Sequence, residues 1–348
     1  MIKINMFSEA DSVKGQGVGS AYLELIRLLK THLADKFEVT INQHQRVDLT
    51  HYHTINPTFY LNSFSKKRGR KIGYVHFLPE TLAGSIKLPQ FMMQIFYKYV
   101  ISFYKRMDQI VVVNPIFIDK LVAHGLKREK IAYIPNFVTK SVFYEKSAEE
   151  KQKIRAELGI PADKFVIFGD GQVQERKGVD DFVKLARNNP EIQFIWAGGF
   201  SFGKITDGYD HYKELVDNPP ANVIFTGIID RNRLVDYCNI CNLFLLPSFD
   251  ELFPMSVLEA FSCGAPVLLR DLDLYRAIID GYYLTGADYA ALDAQIKNVL
   301  AHPNILEEYK QKSNEASSKY SEENLTRIWQ QFYQDQYDQG VKLGQIRR

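Results

Sequence analysis

The 348-residue chain carries 43 Lys and Arg against 41 Asp and Glu, a formal charge of +2, which excludes a protein that binds nucleic acid in bulk. With 46% hydrophobic and 24% charged residues it is not a disordered composition, and its length suits two domains of ordinary size. No apolar run reaches the ~20 residues needed to span a bilayer.

Residues 2–6 read as a first strand, 7–18 as a loop, and the following turns as an amphipathic helix with Tyr22, Leu25, Ile26 and Leu29 on one side. The loop holds Gly15, Gly17 and Gly19. Glycines there let backbone approach a ligand and the helix N-terminus favours an anion, although an ordinary turn has the same make-up. The Gly-x-Gly-x-Gly spacing is not the dinucleotide fingerprint. Apolar strands at 37–41, 47–52, 71–77 and 109–113, separated by helical stretches, predict a doubly wound parallel sheet with ligands beyond the carboxyl ends of its strands. His76 falls at such an end, as do His51 and His53; a hydrogen-bonded structural histidine is the other reading of each.

Residues 87–105, KLPQFMMQIFYKYVISFYK, place Gln90, Gln94, Lys98, Ser102 and Lys105 on one side of a helix and apolar or aromatic residues on the rest. Such a helix is either packed core or lies in a membrane surface. For the second case the expected contacts are Lys87, Phe91, Phe96, Tyr97, Lys98, Tyr104 and Lys105, with the basic run Lys66, Lys67, Arg68 and Arg70 meeting anionic lipid.

The charged stretch 145–155 reads as a connection leading into a helix. A second sheet opens with a strand at 165–169 and the turn DGQVQERKG, which puts Arg176 and Lys177 just before a helix near Val179. Cations there can hold a diphosphate and stabilise charge growing on it; a solvated basic turn is the plainer alternative. Strands at 192–197 and 223–226 are followed by Gly198, Gly199 and Gly227, which leave room for a flat base.

The run 243–246 reads as a buried parallel strand, followed by PSFDELFPMSVLEAFSCGAPVLL. Ser248, Asp250 and Glu251 lie in its loop, Pro254 suits a helix start, and Gly264 with Pro266 ends the helix before a strand at 266–269. Glu251 and Glu259 therefore flank a helix N-terminus whose amides suit a phosphate, while carboxylates beside it accept bonds from hydroxyls: the pattern of a nucleotide sugar. Two solvated acids on a capped helix are the alternative. Cys238, Cys241 and Cys263, an odd count without a signal sequence, point to a reducing, cytoplasmic setting; they read as buried thiols, since a structural zinc would need further ligands. Residues 288–300, 307–318 and 322–337 read as helices.

In this order, over nearly the whole chain, the segments resemble the retaining family 4 glycosyltransferases. The resemblance implies α/β architecture of the GT-B type, two doubly wound Rossmann-like domains facing each other across a cleft. Residues 1–145 would form an acceptor- and membrane-facing domain, 146–320 the nucleotide-sugar domain, and 321–348 a helix returning toward the first. The 247–269 segment resembles the family's paired-glutamate signature, which implies that Glu251 binds donor-sugar hydroxyls and Glu259 the ribose, beside Phe253, Pro254, Met255 and Ser256. By the same resemblance His76 lies near the reacting centre, Gly15 and Gly17 face the diphosphate, and the base lies near Gly227 and Ile228. Gln172 stands where the family has arginine, and Arg176 is taken as its replacement. Phe137 and Thr139 stand where it has glycine and aspartate, so no binding role is inferred there.

The N-terminal MIKINMFSEADSVKGQGVGSAYLEL resembles bacterial glycolipid synthases that add a second sugar to monoglucosyl-diacylglycerol. The expected reaction is retaining transfer of a hexose, galactose first, from a UDP-sugar as co-substrate, without metal or cofactor, to a glycolipid. The enzyme would be peripherally attached to the inner face of the cell membrane. UDP-glucose as donor, a polysaccharide or lipid-pyrophosphate glycan as acceptor, and a non-catalytic sugar-nucleotide or membrane-binding module remain alternatives. An epimerase or phosphorylase on the same fold would need a further acid–base group or a pyridoxal-binding lysine, and neither stands out.

Overall fold

The computed structural model describes residues 1–10, 17–76, 78, 90–201, 203 and 206–346; Gly15 and Lys87, named above, lie outside the described residues. The first half alternates strand and helix: β1 (Ile2–Phe7), α1 (Gly17–His32), β2 (Phe37–Ile41), β3 (Leu49–Tyr52), α2 (Pro57–Asn62), β4 (Arg70–Val75), α3 (Gln90–Lys105), β5 (Gln109–Val112), α4 (Ile116–Ala123) and β6 (Ile131–Tyr133). The second half repeats the alternation, with α5 (Ala148–Glu157), β7 (Val166–Asp170), α6 (Val179–Asn188), β8 (Gln193–Ala197), α7 (Tyr209–Asp217), β9 (Val223–Gly227) and α8 (Arg231–Ile240). It continues through β10 (Leu243–Leu246), α9 (Met255–Ser262), β11 (Val267–Arg270), α10 (Asp273–Ile279), β12 (Leu284–Gly286) and α11 (Tyr289–Ala301), and ends in α12 (Asn304–Lys319) and α13 (Glu322–Lys342).

These strands make two six-stranded parallel sheets, ordered β2-β1-β3-β4-β5-β6 and β12-β11-β10-β7-β8-β9. Every residue of β3, β10 and β11 is buried, as expected of parallel strands covered on both faces. In each sheet the order reverses once, between β1 and β3 and between β10 and β7. Loops leaving neighbouring strands at such a point diverge and leave a crevice, so the two reversals fix where ligands can sit. At the second reversal Gly178 has φ +69, and a Cβ there would stand 2.2 Å from the Pro247 carbonyl oxygen. Glycine thus lets the turn after β7 close onto the loop after β10.

The expected connection at 145–155 is short, because α5 starts within it. Ser147 accepts from the Glu150 amide while Glu150 reaches back to Ser147, a reciprocal cap. The last helix, α13, lies against β4 and α1 of the first sheet. Its Gln336 and Gln339 accept from Arg70 at 2.8 and 2.7 Å, with Gln345 beyond its end at 3.2 Å. Three of the expected lipid contacts are corrected by this packing. Arg70 is buried under α13, and Arg68 is buried with its guanidinium on the carbonyls of Gln43 and His44 at 3.0 and 2.7 Å. Tyr104 is buried among Phe103, Phe117 and Leu121 in the core under β4 and β5. A guanidinium committed to fixed carbonyl and amide acceptors is not available to a phosphate headgroup.

Candidate active site

At the reversal in the second sheet, the turn after β7 and the loop after β10 bring Lys177 and Glu251 into contact. Lys177 Nζ donates to Glu251 Oε1 at 2.5 Å, and Ser248 Oγ donates to the same oxygen at 2.8 Å. Arg176 Nη1 donates to the Asp250 carbonyl at 2.7 Å and stands 3.5 Å from Glu251 Oε2. Burial pushes the Glu251 carboxyl up, but Lys177 and Arg176 outweigh it and hold it below its ordinary value. The carboxylate is therefore charged at neutral pH, with one oxygen held firmly and the other loosely. The adjoining N-terminus of α9 has Pro254 at its cap and no capping side chain, which leaves its amides for an anion.

Glu259, in the second turn of α9, is buried too. Arg231, at the start of α8, directs Nε and Nη2 onto its Oε1 at 3.0 and 2.9 Å. The same Nη2 lies 2.6 Å from Oε1 of Glu24 on α1, whose other oxygen accepts from the Thr139 hydroxyl. Burial raises the Glu259 carboxyl, Arg231 lowers it and Glu24 raises it again, for a net rise. Asp170, half-buried at the end of β7, is pushed up to about 7 by burial and by Glu259, against the pull of Lys177 and Arg231.

The first sheet's loops face this cluster. A Cβ on Gly17 would stand 3.9 Å from Met255 Cγ, so the start of α1 lies over the start of α9. Asn114 Nδ2 donates to the carbonyls of Leu252 and Leu274 at 3.1 and 3.0 Å, and Asn136 Nδ2 donates to that of Phe253 at 3.1 Å. At the carboxyl ends of β3 and β4, His51, His53 and His76 lie in one buried aromatic cluster. The rings of His53 and Tyr74 stack with centroids 5.1 Å apart, and Tyr74 and His76 are 4.3 Å apart. Burial lowers His76 to about 3; burial and His76 together lower His51 to about 3, and burial, His51 and His76 hold His53 well below the usual range. His51 Nδ1 shares a 2.8 Å hydrogen bond with the Tyr333 hydroxyl of α13. Both nitrogens of His53 and Nε2 of His51 and His76 have no hydrogen-bond partner among the described residues.

Residues 150–318 match the family of glycosyl transferases group 1, and residues 13–141 match glycosyltransferase family 4. Over 342 residues, covering 98% of this chain and 91% of the relative, the sequence is 51% identical to the alpha-galactosylglucosyldiacylglycerol synthase of Streptococcus pneumoniae. The chain belongs to the group 1 and family 4 glycosyltransferases. It is 25% identical to the processive diacylglycerol alpha-glucosyltransferase of Acholeplasma laidlawii over 79% of this chain and 80% of that one. Solved structures give the same GT-B fold. Anabaena HepE in complex with UDP-glucose superposes with TM-score 0.79 at 16% identity, over 96% of this chain and all of that one. A sucrose-phosphate synthase from Thermosynechococcus elongatus superposes with TM-score 0.80 at 17% identity, over 97% of this chain and all of that one.

In this glycosyltransferase Arg176, Lys177, Glu251, Ser256 and Glu259 come together around the start of α9, with Pro254 at its cap. Phe253 and Met255 are there too, but their side chains are buried, Phe253 edge-on to Tyr320 with centroids 5.2 Å apart. Gly227 and Ile228 sit apart at the end of β9. Gly227 has φ +69 with open space where a Cβ would be, and Ile228 is exposed. Sequence reasoning passed over Glu24, Asn114, Arg231 and Asp170. Glu24 did carry a signal: it lies three residues from Ala21 and four from Leu28, within the apolar stripe of α1.

Proposed function

We propose that the protein transfers a hexose, galactose first, from a UDP-sugar to a glycolipid such as monoglucosyl-diacylglycerol, with retention of configuration and without a metal. The observation that carries this reading is the buried contact of Lys177, Glu251 and Ser248 beside the uncapped start of α9, in a chain half identical to an alpha-galactosylglucosyldiacylglycerol synthase over nearly its full length. The donor would lie with its diphosphate against Lys177, Arg176 and the α9 amides, its sugar hydroxyls on Glu251 and its ribose on Glu259. The bond from the anomeric carbon to the β-phosphate oxygen breaks as the acceptor oxygen forms a bond to that carbon from the same face. The acceptor proton passes to the departing phosphate oxygen, and UDP leaves. Cations already fixed beside the diphosphate stabilise the charge that grows there. Lys177 and Arg176, in contact with Glu251, would take the charge-stabilising role. A neutral imidazole at His76, the least buried of the three histidines, suits a face that meets an uncharged sugar.

The acceptor would be reached from a membrane surface. Phe91 and Ile95 on α3 are 66% and 65% exposed, and Leu61 and Phe64 at the end of α2 are 71% and 54% exposed. The two elements are joined by a 2.8 Å hydrogen bond between Tyr60 and Ser102. Exposed Lys66 and Lys67 follow Phe64 in the chain, Lys98 lies one turn beyond Ile95, and Lys105 is exposed at the end of α3, the composition of an interfacial helix on anionic lipid. Among the described residues no helix is long and apolar enough to cross a membrane. The exposed apolar and basic side chains of α2 and α3 support a peripheral attachment, proposed to be at the inner face of the cell membrane. Offering labelled UDP-galactose and UDP-glucose with monoglucosyl-diacylglycerol to the purified protein tests the reaction. Label from UDP-galactose in an α-linked diglycosyl lipid is expected, and label that never reaches lipid overturns the acceptor assignment.

A further inference from the structure

Glu24 is 1% exposed. A carboxylate buried on a helix costs several kcal/mol unless its charge is met. Here it is met by a cation of the other domain, Arg231 at 2.6 Å, and by the hydroxyl of Thr139 on the segment that leaves the first domain. The contact joins the two halves of the chain, with Glu24 on α1 and Arg231 and Glu259 on α8 and α9.

Arg231 meets Glu259 in an asymmetric way. Both Nε and Nη2 point at Oε1, and Oε2 takes no partner among the described residues. A guanidinium facing one carboxylate alone would settle as a fork across both oxygens. Sharing Nη2 with Glu24 prevents that and turns the fork onto one oxygen. The other keeps its lone pairs for hydroxyl donors, while the Arg231 charge opposes the rise that burial and Glu24 impose on the carboxyl.

We propose that Arg231 is a positioning residue for the nucleoside of the donor: tethered by Glu24 across the domain boundary, it fixes one oxygen of Glu259 and presents the other to the vicinal hydroxyls of the ribose. This rests on the reading of Glu259 as the ribose-binding carboxylate. Recognition of the ribose then depends on a residue of the first domain that does not touch the nucleotide. A nucleotide held by the second domain alone meets a Glu259 whose two oxygens are both claimed by Arg231.

The test compares UDP with 2′,3′-dideoxy-UDP by calorimetry on the full-length wild type and on Glu24→Gln. The wild type is expected to prefer UDP by about ten-fold or more, the discrimination that hydroxyls bonded to a charged acceptor provide. Glu24→Gln is expected to lose most of that preference, with the affinity for dideoxy-UDP changed less than about two-fold and the KM for UDP-hexose raised more than kcat is lowered. A wild type without preference overturns both the ribose reading and the inference resting on it. A preference kept in Glu24→Gln overturns the inference alone, as does an equal loss for both nucleotides, which marks a structural clamp. If Glu24→Gln fails to fold, Arg231→Lys keeps the cation and loses the fork. The same fall in preference is expected from it, and an unchanged preference overturns the proposal.

Discussion

The two faces of the cleft solve opposite electrostatic problems. On the second domain, Glu251 is held ionised by Lys177 and Arg176 and Glu259 is met by Arg231, so the wall is a lattice of fixed charges. On the first, burial strips the charge from three histidines and leaves ring nitrogens unpartnered. Charged groups held in place before a ligand arrives are suited to a diphosphate, on which charge grows as the bond breaks. Neutral, undersatisfied donors and acceptors are suited to a sugar hydroxyl, which has no charge to offer in return. Under the proposed reaction, the charged wall is the one expected to hold the donor and the uncharged one the acceptor.

The largest effect should come from breaking the charged wall. Lys177→Ala and Glu251→Ala are each expected to lower kcat/KM by about a hundred- to a thousand-fold, the cost of losing a fixed group beside developing charge. The double variant should be little worse than either, because each removal already leaves its partner's charge buried and alone. Steady-state kinetics in mixed micelles, with thermal unfolding as a check on folding, measures both. Full activity in both single variants would remove the site assignment and the contrast with it.

A second measurement sharpens the contrast through pH. A neutral His51 or His76 binds no proton until about pH 3, whereas the unfolded chain takes one near pH 6.5, so stability is lost as pH falls from about 6.5 toward 3. Each histidine contributes at most about 1.4 kcal/mol per pH unit in that window. Asp170 has the opposite sign. Its folded value of about 7 lies above its unfolded one, so the folded state holds the extra proton and stability is lost as pH rises from about 4 to 7. Urea midpoints at pH 5.5, 6.5 and 8 should show a shallower acid slope for His53→Phe, and a gain for Asp170→Asn that is present at pH 8 and shrinks toward pH 5.5. A gain for Asp170→Asn that does not change with pH would show that its carboxyl is not held protonated.

How far each wall was legible follows from how local its chemistry is. The strand, loop and helix around Glu251 lie within two dozen residues, and apolar runs with proline and glycine stops mark their edges. The turn holding Lys177 reads equally well, since one strand and one helix bracket it. Three-residue β12 is too short for any periodicity to register. Glu24 and Arg231 are joined only through the assembly of two domains 207 positions apart, and nothing around Arg231 distinguishes it from an exposed helix start. Arg70 was misread for the same reason. Set in a basic run it looked like surface, while its acceptors Gln336 and Gln339 lie more than 260 residues away on α13. Local pattern reveals the elements and the groups at their ends, whereas partnership across domains becomes visible only once both sheets are placed.

The outer surface of the first domain extends the comparison, with smaller effects. Replacing Phe91 and Ile95 by serine is expected to weaken flotation on anionic liposomes by about ten-fold or more, since each large side chain taken out of the interface forfeits of order 1–2 kcal/mol. Turnover of a micellar acceptor should change less than binding to liposomes, because these exposed side chains make their largest contribution at the lipid surface. Lys66→Ala and Lys67→Ala should each cost about 1 kcal/mol of binding to anionic vesicles, an effect that fades with salt and is absent on neutral ones. Arg70→Ala separates surface charge from buried charge. Its guanidinium is spent on Gln336, Gln339 and Gln345, so liposome binding should hold. The loss should appear instead as about 2 kcal/mol or more of stability, from three side-chain acceptors left unmet beneath α13. A Tm that stays put while flotation weakens would return Arg70 to the membrane face and dissolve the division between lysines that meet lipid and arginines that hold the chain's last helix.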